Sequence, residues 1–124
     1  MAVTNVALAA TQQQTFTNGV ETFLTAAPVN TSGVYVMIVD VGNATSGGTG
    51  NGLQNGDVVE FRIYSVVQAG TEQVAYYAVY ANLQGQPVKY SVPVPLLNPD
   101  TLRFSVKITT AINRTFRCRI VTIG

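Results

Sequence analysis

Few residues in this 124-residue chain could carry out chemistry, and their types exclude most reactions. Histidine is absent, which removes the commonest general base and the commonest metal ligand. Serine triads and histidine-based zinc sites therefore have nothing to build on. The single cysteine, Cys118, can form neither an internal disulfide nor a thiolate zinc site. It stands between Phe116 and Ile120 on the apolar side of an alternating segment, the setting of a buried, inert thiol. The nearest carboxylates, Asp57 and Glu60, are three residues apart, which on a strand puts them on opposite faces. Gly47-Gly48-Thr49-Gly50 lacks the Lys-Ser/Thr ending of a phosphate-binding loop. The expectation is a protein with no catalytic, cofactor-binding or metal-binding residues, and a hydrolase ranks last among its possible roles.

Recognition is a better use of what remains. Five basic residues fall between positions 103 and 119. If the last two strands form a hairpin, Arg103, Lys107, Arg117 and Arg119 share one outward patch. With Tyr64 and Tyr77 they are the residues expected to contact a partner. Four charges on a chain of net charge +1 fall short of the usual nucleic-acid footprint, which weighs against a nucleic-acid partner. Charge is also uneven along the chain. Residues 1–61 carry a net −4 and residues 62–124 a net +5. That split predicts a two-signed surface on which one copy meets its neighbour's opposite pole. Asn-x-Ser/Thr triplets at Asn30, Asn43 and Asn113 are chance occurrences in a chain this rich in such residues.

The elements that would position these residues are strands. Gly33–Val41 is apolar at both parities and reads as a strand buried on both faces. Asp57–Val67, Gln73–Leu83, Thr101–Thr109 and Arg114–Ile123 alternate with period two. Val88–Val94 is short, and Pro87, Pro93 and Pro95 confine it to an edge or a break. Val3–Ala9 and Thr15–Leu24 give weaker strands or an extended arm within residues 1–30, able to pair with a neighbour's sheet edge. Asn18-Gly19, Asn51-Gly52, Asn55-Gly56 and Asn98-Pro99-Asp100 supply turns. Gly42–Gly56 holds six of the eleven glycines and reads as a flexible loop. One domain spanning 1–124 is expected: an all-β antiparallel sandwich, jelly-roll or immunoglobulin-like, of about seven to eight strands.

Composition fits a protein that works by contact. Charged residues make up 10%, against about 25% in ordinary soluble domains, so little keeps copies apart. No run approaches the ~20 apolar residues of a membrane span, and Met1–Ala10 lacks the basic start of a signal peptide.

The order of segments from Gly56 to Ile123 is distinctive: GDVVEFRIYS, the Tyr-rich AYYAVYANLQ, PVKYSVPVP, then LRFSVKITTAINRTFRCRI. It resembles small virion-associated proteins of tailed bacteriophages. The resemblance implies an all-β head-decoration (cement) or auxiliary capsid role, in the virion assembled in the host cytoplasm. Its partners would be major capsid or other virion subunits, and many copies would form a homo-oligomer or lattice. Alternatives are a tail or head–tail connector protein, or a free-standing carbohydrate- or nucleic-acid-binding β module.

Overall fold

The computed structural model describes residues 2–9, 13–42, 52–109 and 112–123. Ten strands form two antiparallel sheets: β1 (Val3–Asn5), β2 (Gln13–Phe16), β3 (Glu21–Phe23), β4 (Gly33–Asp40), β5 (Val58–Val66), β6 (Gln73–Ala81), β7 (Val88–Tyr90), β8 (Val94–Leu96), β9 (Thr101–Thr109) and β10 (Arg114–Ile123). In the six-stranded sheet β10 and β4 are central, with β1 and β2 along the free side of β10 and β7 and β8 along that of β4. The four-stranded sheet runs β3-β9-β5-β6.

The pairings nest. β5 pairs with β6, β4 with β7 and β8, β3 with β9, and β1 and β2 with β10. This is one long hairpin rolled into two facing sheets, the jelly-roll topology. The all-β sandwich read from alternation is therefore the observed fold. Ten strands replace seven or eight because β1, β2 and β3 are all built in, and because the segment after Pro87 is split. Prolines 87, 93 and 95 leave β7 and β8 as two three-residue edge pieces.

Period-two alternation fills the core. β4 contributes Tyr35, Met37 and Val39, β5 Val59, Phe61 and Ile63, β9 Leu102, Phe104, Val106 and Ile108, and β10 Phe116, Cys118 and Ile120, all buried. Phe16 and Phe116 meet with ring centroids 5.5 Å apart, and Tyr35 meets Phe104 at 6.2 Å. Each such side chain contributes about 1.5–3 kcal/mol on leaving water. Ser91 is buried without cost, because its hydroxyl accepts from the Met37 amide and donates to the Val92 carbonyl.

Three sequence expectations change. The last two strands are not a hairpin: β9 lies in one sheet and β10 in the other. Alternation shows which side of a strand is apolar but not which sheet owns it, and both strands face the same core from opposite sides. Residues 1–30 are not an arm reaching for a neighbour, because β1 and β2 pair with β10 and β3 pairs with β9 of the same chain. β4 is buried on one face only, and Val34, Val36 and Ile38 lie half-buried on the outside. Most of the expected Gly42–Gly56 loop, residues 43–51, lies outside the described residues, as do Asn43 and Gly47–Gly50.

The described end of that stretch, residues 52–56, is held firmly rather than flexible. Leu53 is buried and its amide donates to the Val41 carbonyl at 2.7 Å. Gly56 adopts φ +94°, where a side chain would be strained, and turns the chain toward Asp57. Asp57 and Arg114 form a buried ion pair, Nε to Oδ2 2.7 Å, joining the start of β5 to the start of β10. Replacing Arg114 with Met strands a buried carboxylate and should cost about 3–5 kcal/mol. Urea denaturation of Arg114→Met should show that loss, and adding Asp57→Asn should recover part of it.

Candidate interaction surfaces

The outward side of the four-stranded sheet is polar and internally paired. Glu21 on β3 accepts hydrogen bonds from Tyr64 Oη and Ser105 Oγ, each 2.6 Å. Glu60 on β5 accepts from Tyr77 Oη at 2.8 Å and Arg62 at 2.9 Å. Arg103 grips Glu72 through two bonds of 2.8 and 2.6 Å while its guanidinium lies 3.8 Å from the centre of the Phe23 ring. Arg62 stacks over Tyr77 at 4.7 Å. Lys107 stands in register with Glu21 on one side and Glu60 on the other.

Of the six expected contact residues, Tyr64, Tyr77, Arg103 and Lys107 therefore share this face. Glu21, Glu60, Glu72, Arg62 and Ser105 complete it; sequence reasoning names Glu60 only as a carboxylate near Asp57 and singles out none of the others. Three carboxylates meet three cations here, so the basic patch read from spacing is a neutral network. The acidic first half and basic second half are brought together within one chain, which replaces the expected two-signed surface.

Arg117 and Arg119 lie on the other side of the molecule, on the outward face of β10. Arg117 is in register with Asp40, and Arg119 with Ile38, which in turn faces Tyr90 of β7. These side chains line an open depression of about 350 Å³. Next to it the outward positions are mostly apolar, with Val34, Val36 and Ile38 on β4, Val121 and Ile123 on β10 and Val3 on β1, and with Asn5 of β1 in register with Val121. A sheet whose outer face is aliphatic, ending in two arginines, is suited to cover by another protein surface. The signal for it was present in the sequence as the apolar run at both parities of Gly33–Val41.

Cys118 lies beneath that depression, and burial pushes its thiol up to about 12, so it is protonated and unreactive at neutral pH. Among the described residues no three His, Cys, Asp or Glu side chains gather as a metal centre requires, and no helix is long and apolar enough to cross a membrane.

The paired carboxylates set the response to acid. Burial pulls Glu21 upward, but hydrogen bonds from Ser105 and Tyr64, with Arg62 and Arg103 nearby, outweigh it and hold the carboxyl below its ordinary 4.5. The Tyr77 hydrogen bond lowers Glu60, and the Arg103 bonds lower Glu72. A carboxyl lowered in the folded state stabilises fully above its unfolded value and ceases to do so as pH falls through the folded one. Urea midpoints measured from neutral pH downward should hold to about 4.5 and then decline. Glu21→Gln should lower the plateau and flatten part of that decline.

No protein-family model, curated protein or solved structure matches this chain.

Proposed function

We propose that this protein is a structural component of a tailed-bacteriophage virion that binds and stabilises assembled capsid subunits, as a decoration or cement protein does. One observation carries the reading: the outward face of the six-stranded sheet is aliphatic across Val34, Val36, Ile38, Val121 and Ile123 and is bounded by Arg117 and Arg119. Such a face gives up apolar area on docking, about 25 cal/mol per Å² covered, while the arginines set orientation and partner choice. The opposite face has its charges paired internally and suits the outside of a particle.

Two further points support it. The segment order of residues 56–123 resembles virion-associated proteins. By analogy of fold alone, jelly rolls recur in capsid proteins, although also in lectins and cupins. A single docking event would be weak after association costs, and repetition over a lattice supplies the avidity.

The test is cosedimentation with lattices assembled from the coat protein encoded beside this chain. The protein should pellet with the lattice, and Ile38→Lys should abolish pelleting while leaving the β circular dichroism unchanged. Replacing Arg117 and Arg119 with Ser should weaken binding at low salt, with the difference shrinking as salt rises. Binding indifferent to all three changes, or no binding at all, would remove this assignment.

A further inference from the structure

Sheet edges expose unpaired backbone donors and acceptors, and proteins blunt them with short strands, prolines or charge. Three of the four edges here are blunted. β3 has three residues, β1 and β2 are short and separate, and β7 and β8 are interrupted by prolines and carry Lys89. β6 is different. It runs nine residues, Gln73–Ala81, with no charge and no proline, and among the described residues only β5 pairs with it.

Exposed apolar side chains gather on the same flank. Val74, Tyr77 and Val79, on the outward side of β6, are three of the twelve large exposed hydrophobic residues among those described. β7 belongs to this flank, because Lys89 Nζ sits 4.5 Å from the centre of the Tyr80 ring. One irregularity breaks β6: the register against β5 shifts between Tyr76 and Val74, leaving Ala75 as an extra residue. From Tyr76 to Ala81 the strand is regular.

We infer that two copies of this chain pair antiparallel along β6, about a two-fold axis through Ala78, to form a continuous eight-stranded sheet. The strand is self-complementary in that register. Tyr77 opposes the partner copy's Val79 on the outer face, an aromatic with a β-branched residue, which is a favourable cross-strand pair. Tyr76 opposes Tyr80 on the inner face, and alanine meets alanine at the axis, where bulk would be worst placed. No charge in the strand opposes its own copy, the condition that usually prevents such pairing. A two-fold contact also closes on itself, so the edge is consumed without growth into fibres.

The area is that of a reversible dimer. In this register the two strands overlap over residues 75–81, about 24 Å, and two sheet edges about 10 Å apart with their side chains make the flank about 20 Å deep. That gives on the order of 480 Å² per copy, or about 960 Å² in total, the size of a transient specific interface. The axis is perpendicular to the sheets, so both aliphatic outer faces point the same way, with centres about 20 Å apart given strands ~4.8 Å apart.

Sedimentation of the isolated full chain tests this without reference to any virion. The wild type should rise from the single-chain mass toward twice that mass as concentration increases through the micromolar range. Val79→Lys should return it to the single-chain mass with its β spectrum intact, while Val20→Lys, at an equally exposed apolar turn position, should change nothing. Oxidised Ala78→Cys should cross-link, because opposed Cα atoms 4.5–5.5 Å apart lie within disulfide reach. Ala81→Cys should not, its thiols being about 20 Å apart in this register. A monomeric wild type, open-ended polymers, a dimer unaffected by Val79→Lys, or cross-linking at 81 rather than 78 would each overturn the proposal.

Discussion

Arg114 and Asp57 stand at the starts of β10 and β5, the strands that occupy the middle of opposite sheets, and their ion pair is buried between them. The two charges offset each other's loss of water only while both are present and well placed. Asp57 is also the pivot of its surroundings: its carboxylate accepts the Gln54 amide, its own amide donates to the Gln54 carbonyl, and its carbonyl accepts the Asn82 amide. One residue thus fixes the entry to β5, the exit of β6 and the spacing of the two sheets. The outward faces inherit their positions from that arrangement, since each is the reverse side of a strand whose inner residues fill the core.

Rolling one long hairpin also decides where charge ends up. Nested pairing brings early residues against late ones, as with Glu21 beside Lys107 or Asp40 beside Arg117. A chain acidic in its first half and basic in its second therefore neutralises itself across strands. The consequence is a molecule with one charge-paired face and one aliphatic face.

Alternation made the long strands legible. Thr101–Thr109 and Arg114–Ile123 are legible to the residue, and the apolar side read at Phe116, Cys118 and Ile120 is the observed inner side of β10. What alternation cannot carry is partnership. β9 and β10 are adjacent in sequence and alike in pattern, yet lie in different sheets, so Arg103 and Lys107 part from Arg117 and Arg119. Short strands are legible only as segments: Thr15–Leu24 holds the end of β2 and all of β3, which at three residues is too short to show a period and is held by pairing with β9. The polar network was invisible because its members come from β3, β5, β6, β9 and the turn before β6. The aliphatic face was visible as residues and misread as burial, since a sequence does not show whether a second layer exists to cover them.

The outermost pairing of the roll sets Val3 against Ile123. Both ends of the described chain therefore leave the molecule at one corner, on two adjacent strands. Any polypeptide continued from either end would emerge from that corner, beside the aliphatic face. The same adjacency makes the order of strands separable from their arrangement. A short linker could join the ends and a new opening be cut at the Val67–Gly70 turn between β5 and β6, where the Gly70 amide bonds back to the Val67 carbonyl. Every ladder would survive, but the innermost turn of the roll would become its free end, and the molecule would have to wind itself up in a different sequence of closures.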